Sequence, residues 1–150
     1  MATNINKTGD YVLTNCYLFE NAANQEEQVF NAVRAQFNKE FIPAAIETEK
    51  MRSGGLILGT REVVISILRQ GYPNFYIITR VVGHYLYVSI VATVEERIFS
   101  TYDIFARETL VSYYQACVSC LQNALSLLGL KEYTGHFKGI TQDENKPQKQ

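Results

Sequence analysis

Between Glu62 and Val94 the apolar side chains recur at every second position, while on either side of that stretch they recur every third or fourth. A period that passes from about 3.6 to 2 and back restricts the chain to helix, strands and helix, in that order. The first helical stripe is Val29, Val33, Phe37 and Phe41, widened by Phe30 and Ile42. It predicts an amphipathic helix from about Gln25 into the 40s, with Asn24 as N-cap and Glu26 and Glu27 in the favourable first turn. Pro43 should kink this helix, or end it and start a short second one over Ile46 to Lys50.

The strand runs are Glu62–Leu68, Phe75–Val82 and Tyr85–Val94, rich in Val, Ile, Tyr and Thr as a pleated surface prefers. Gly71-Tyr-Pro-Asn74 separates the first two, and Gly83-His84 suits a tight hairpin with glycine at the first central position. The last helix has Asp103 or Thr101 as its cap and a stripe of Leu110, Tyr114, Cys117, Leu121, Ala124, Leu125 and Leu128. Gly129 stands where a C-terminal capping glycine belongs, followed by apolar Leu130. Tyr11–Glu20 reads as an extra N-terminal strand, with a helical lead-in as the alternative. The expected class is α+β in two layers: an N-terminal helix, a three-stranded antiparallel meander and a long C-terminal helix. Residues 1–10 are expected to be a loose terminus, 11–138 a single domain, and 139–150 a disordered polar tail.

Composition supports a folded chain. Hydrophobic residues make up 47% and charged ones 19% of 150 residues, with a net charge of −1. Arg80, His84, Glu95 and Glu96 interrupt the greasiest stretch, so no membrane span is expected. No basic segment followed by an apolar one opens the chain, and the three cysteines are an odd number, so a cytoplasmic setting is expected. Cys117 and Cys120 form a CxxC inside the last helical stripe rather than at a helix start, which suits core packing better than redox or zinc chemistry. No metal or cofactor is implied.

Function has to be sought on the sheet. On the third strand Leu86, Val88, Ile90, Ala92 and Val94 form the obvious core face, while Tyr85, Tyr87, Ser89, Val91 and Thr93 point the other way. On the second strand Tyr76, Ile78, Arg80 and Val82 alternate with Phe75, Ile77, Thr79 and Val81, so neither side is fully polar. Such a sheet is covered within the chain or meets another subunit. Ten tyrosines favour contact surfaces, Tyr72, Tyr76, Tyr85, Tyr87, Tyr113 and Tyr114 among them. The leading expectation is a non-enzymatic module that binds another protein and forms a homodimer through Tyr76, Arg80, Tyr85 and Tyr87.

The alternative is an anion- or nucleotide-binding segment. Residues 20–49 sum to −4 and residues 50–80 to +4. Arg52, Gly54, Gly55, Gly59 and Arg61 could share one phosphate or carboxylate between amide N–H groups and a guanidinium fork. The spacing is neither a P-loop nor a dinucleotide fingerprint. Single-stranded nucleic acid could stack on the tyrosines beside Arg69 and Arg80, but the local positive sum is small for such a partner. A third reading is an enzyme around Glu62, His84 and Glu95, and no catalytic motif accompanies it.

The run Arg52-Ser-Gly-Gly-Leu-Ile-Leu-Gly-Thr-Arg-Glu62, followed by Phe75–Val82 and Tyr85–Val91, resembles an uncharacterised family of small bacterial helix/β-meander/helix proteins. In that family an RGG…G…RE segment opens the meander, which ends in a V-S-W-type strand before an aromatic-Asp turn. Tyr87-Val88-Ser89-Ile90 and Tyr102-Asp103 stand at the matching places, without the tryptophan. The resemblance covers about the middle half of the chain. It implies the fold and a bacterial, phage or mobile-element origin, and it implies no activity.

Overall fold

The computed structural model describes residues 11–52 and 61–132. The expectations for residues 1–10, for the segment between Arg52 and Arg61 and for the tail from 139 lie outside the described residues. In chain order the elements are β1 (Tyr11–Glu20), α1 (Glu26–Lys39), β2 (Ala45–Arg52), β3 (Arg61–Leu68) and β4 (Phe75–Val82). They continue with β5 (Tyr85–Val94), a short α2 (Glu96–Phe99), α3 (Ile104–Leu127) and β6 (Lys131–Glu132). The class is α+β, with one sheet in the order β2-β3-β4-β5-β1-β6 and every pairing antiparallel. The expected three-stranded meander is thus the centre of a six-stranded sheet. β1 adds to it on one side by pairing along β5, and β2 adds on the other by pairing along β3.

Residues 46–50 correct the expectation of a second helix. Glu47, Glu49 and Lys50 are good helix formers, but Ile46, Thr48 and Lys50 alternate with the glutamates, and pairing along all of β3 decides the matter. Propensity is a weak prior against eight cross-strand partners. Helix α1 also stops earlier than the stripe predicts. The residue before a proline is biased away from helical backbone, and Ile42 precedes Pro43. The helix closes at Lys39, and the next turn carries Phe41 out of the stripe with φ +56°. Phe41, expected in the core, is 89% exposed. The N-cap of α1 is Gln25 rather than Asn24, with no side-chain cap bond; Thr79 Oγ1 instead donates to first-turn Glu26 Oε2 at 2.7 Å, tying α1 to β4.

Other local signals act as read. Asp103 caps α3, its Oδ1 accepting from the Ala106 N–H at 2.8 Å. Gly83 begins the β4–β5 hairpin at φ +60°, a conformation costly for a residue with a Cβ. Both long helices lie on one side of the sheet. Val29, Val33 and Phe37 of α1 and Leu110, Cys117, Leu121 and Leu125 of α3 form one buried cluster with Ile65, Ile67, Phe75, Ile77, Leu86, Val88, Ile90 and Ala92. That is the face assigned to the core on β5.

Candidate functional site

The opposite face of the sheet is built by the alternate residues of the same strands. β5 presents Tyr85, Tyr87, Ser89 and Val91 there, β4 presents Tyr76, Ile78, Arg80 and Val82, and β1 presents Thr14, Cys16 and Leu18. The register sets Arg80 opposite Tyr87 and Val82 opposite Tyr85, while Leu18 of β1 flanks Tyr87 on the other side. Three of the four residues expected at a contact surface, Arg80, Tyr85 and Tyr87, are therefore neighbours. Val82 is 65% exposed, and Leu18, Ile78, Tyr85, Tyr87 and Val91 are half-buried. Among the described residues no helix lies over this face. At its hairpin end the His84 ring stacks on Tyr85, with centroids 4.1 Å apart.

Tyr76 holds a different position from the one expected. It is 2% exposed, packed with Val64 and Ile78 in a small second cluster, and its hydroxyl accepts from Asn74 Nδ2 at 3.4 Å. Ser66 and Ser89 are buried at the centre of this face too. Burial also acts on Tyr87, pushing its hydroxyl up to about 12, with the neighbouring Cys16 thiol adding to the shift. Tyr87 therefore stays a protonated donor across the ordinary pH range.

Tyr113 and Tyr114 leave the list of contact residues. Both are buried on α3, where the stripe is one residue wider than read, and they pack on Phe75 with ring centroids at 4.8 and 5.4 Å. Tyr114 Oη donates to Asn15 Oδ1 at 2.9 Å across the α3–β1 contact. The Arg69 guanidinium lies 4.4 Å from the centre of the half-buried Tyr72 ring and 5.2 Å from that of Tyr113. Cys117 and Cys120 are wholly buried and unbridged. Burial pushes the Cys117 thiol up to about 12 and raises that of Cys120 as well, the reverse of what a reactive thiol needs.

The groups of the enzyme reading are not gathered. His84 and Glu95 flank opposite ends of ten-residue β5, which at ~3.3 Å per residue separates them by roughly 35 Å. Among the described residues no three His, Cys, Asp or Glu side chains cluster as metal ligands. Of the anion-binding candidates, Arg52 and Arg61 are cross-strand partners at the end of the β2–β3 pair where the chain passes from one strand to the next. Gly54, Gly55 and Gly59 lie outside the described residues.

No family model, no curated protein and no solved structure matches this chain. No helix among the described residues is long and apolar enough to cross a membrane. Two contributors to the uncovered face, Leu18 and Cys16, were missed by the sequence reading. The signal was present: once Tyr11–Glu20 is a strand, Thr14, Cys16 and Leu18 fall on one side of it by alternation.

Proposed function

We propose that the chain is a non-enzymatic protein-binding module that self-associates, and that its contact surface for another protein is the uncovered face of the sheet around Arg80, Val82, Tyr85 and Tyr87. The observation that carries this reading is the asymmetry of the sheet. One face is dry at its centre beneath α1 and α3, with only Val63 and Val81 exposed at its margins among the described β3–β5 residues, while the other keeps Leu18, Ile78, Val82, Tyr85, Tyr87 and Val91 at partial exposure or more. Contiguous apolar and aromatic surface with a single guanidinium among it suits a protein partner, since aromatic residues and arginine are enriched at interface centres. Tyrosine supplies area with few rotors, so little ordering entropy opposes binding. The test is native mass spectrometry of complexes isolated from the source cells, with wild type and Val82→Asp in parallel. Val82 is exposed, so the variant should fold with an unchanged circular-dichroism spectrum and lose the partner mass. The same complex at the same yield with Val82→Asp would overturn the reading.

A second reading is favoured by one feature. The β2–β3 register pairs the backbone positions of Arg52 and Arg61, which brings the two arginines of the segment to one place on the sheet. That supports anion or nucleotide binding at the Arg52–Arg61 segment. Thermal stabilisation by inorganic phosphate that Arg61→Ala abolishes would support it, and equal stabilisation of both proteins would dismiss it.

A further inference from the structure

The end of α1 is built as a Schellman motif. The Ile42 N–H bonds the Phe37 carbonyl at 3.2 Å and the Phe41 N–H bonds the Asn38 carbonyl at 3.3 Å, which places Phe41 in the left-handed position at φ +56°. Glycine is the usual residue there, because a Cβ in that conformation costs free energy. The end of α3 uses the usual solution: Gly129 stands at φ +65° and its N–H bonds the Ser126 carbonyl. Phe41 departs from it twice over, since its backbone is in a disfavoured region and its ring is 89% exposed. Neither folding nor solubility accounts for a phenylalanine in that place. Strain kept in this way points to a task outside the fold.

Beside the ring lies a cleft of about 470 Å³, lined by Arg34, Phe37, Asn38, Ile42, Ala44 and Ile46, with Phe41 itself forming one wall. The lining is apolar apart from Asn38 and a single charged group, Arg34. A cleft walled by Phe37, Ile42, Ala44 and Ile46 with one guanidinium among them suits an aromatic ring, which packs on the apolar wall and offers its face to the cation while leaving part of the cleft to other groups. A protruding ring and a cleft of matching chemistry, side by side on one surface, are complementary to a second copy turned by a two-fold axis. We propose that Phe41 is the anchor of a two-fold homodimer, each ring entering the cleft of the other copy beneath its Arg34 and the two rings meeting near the axis.

The neighbouring strand edge supports this geometry over strand pairing. β2 is an edge of the sheet, and antiparallel pairing of two β2 strands about a two-fold axis brings residues of equal parity face to face. The centred registers then oppose Glu47 with Glu47, Glu47 with Glu49, Glu49 with Glu49, or Lys50 with Lys50. Like charges opposite one another block such pairing, so copies that meet at this end of the molecule do so through the cleft. One ring from each copy is a small core beside the ~1,600 Å² of a standard interface, so the dimer is expected to be weak, dissociating in the micromolar range.

The inference rests on the self-association in the reading above but assigns it to a different surface. Sedimentation equilibrium of the full chain is the test, with wild type, Phe41→Gly, Phe41→Trp and Val82→Asp compared. Phe41→Gly relieves the backbone, so its melting temperature should rise while the dimer weakens by roughly thirtyfold or more, as loss of an interface anchor does. The chain contains no tryptophan, so Phe41→Trp carries a single indole that can be excited selectively over the tyrosines, and its emission should shift to the blue as concentration brings copies together. Val82→Asp should leave the dimer intact. Equal dimer affinity for wild type and Phe41→Gly would overturn the assignment, and loss of the dimer in Val82→Asp alone would return self-association to the sheet face. A wild-type chain that stays monomeric at several hundred micromolar would overturn both the assignment and the self-association, leaving the partner-binding reading to the mass-spectrometry test.

Discussion

The two faces of the sheet are made from the same strands, by alternate residues of the same runs, and they differ in almost every physical respect. The covered face carries Ile65, Ile67, Phe75, Ile77, Leu86, Val88 and Ile90 beneath two helices. The uncovered face mixes tyrosine, valine, serine and arginine, and its centre is dry, where Ile78 packs against the buried Val64 and Tyr76. Exposure here follows distance from the middle of the sheet and not hydrophobicity. The apolar residues of the uncovered face that are most available to a partner therefore stand toward its ends, Val82 and Tyr85 at the β4–β5 hairpin and Val12 near the start of β1.

The largest expected effect tests the covered face. Ile77→Ala should cost about 2–5 kcal/mol in a urea titration, the transfer term plus the cavity left among helix and strand side chains. A loss below about 1 kcal/mol would mean that the core closes readily around the gap. Next in size is a loss of stability in alkali. In the folded protein burial holds the Cys117 thiol and the Tyr113 hydroxyl up to about 12, whereas the unfolded chain releases these protons near pH 9 and 10. The neutral forms are those the fold favours, so their contribution is complete below about pH 9 and is lost as pH rises toward 12. Denaturant midpoints measured from pH 8 to 11 should fall over that window, and a flat profile would contradict the burial of both groups.

A smaller contrast separates two adjacent tyrosines. The Tyr114 hydroxyl bonds Asn15, so Tyr114→Phe should lose about 1–2 kcal/mol, while the Tyr113 hydroxyl is buried without a hydrogen-bond partner among the described residues. Tyr113→Phe should be neutral or gain up to about 1 kcal/mol. Equal losses in the two variants would show that Tyr113 has a partner in solution. The smallest effect is on the uncovered face, where Val82→Ala should change stability by no more than about 0.5 kcal/mol. A cost comparable to that of Ile77→Ala would mean that both faces are covered, and the comparison would fail.

Much of this was legible from local chemistry. The strands Phe75–Val82 and Tyr85–Val94, the Gly83 hairpin, the Asp103 cap and the Gly129 helix end each depend on residues close in sequence, and each stands where the sequence places it. Elements decided by distant partners were less legible. β2 resembles a helix until β3 is beside it, and Tyr113 and Tyr76 resemble surface residues until α3 and the width of the sheet bury them. Phe41 is the instructive case, since it continues the Val29, Val33, Phe37 stripe without a break. Only the position of the helix end, at Lys39 two residues earlier, turns a core residue into an exposed one.

The pairing of β1 has a consequence for how the chain is made. Tyr11 meets Val94 and Phe19 meets Leu86, so the earliest of the described strands to leave the ribosome finds its partner only after most of the described sheet has been synthesised. At ~5–20 residues per second that interval lasts several seconds, during which β3 and β4 can already pair through a short turn. Throughout it β1 is an unpaired segment without a charge between Tyr11 and Phe19, the kind of strand that pairs with the wrong neighbour. A stalled nascent chain ending before Tyr85 should leave β1 open to protease, and one that extends past α3 should protect it.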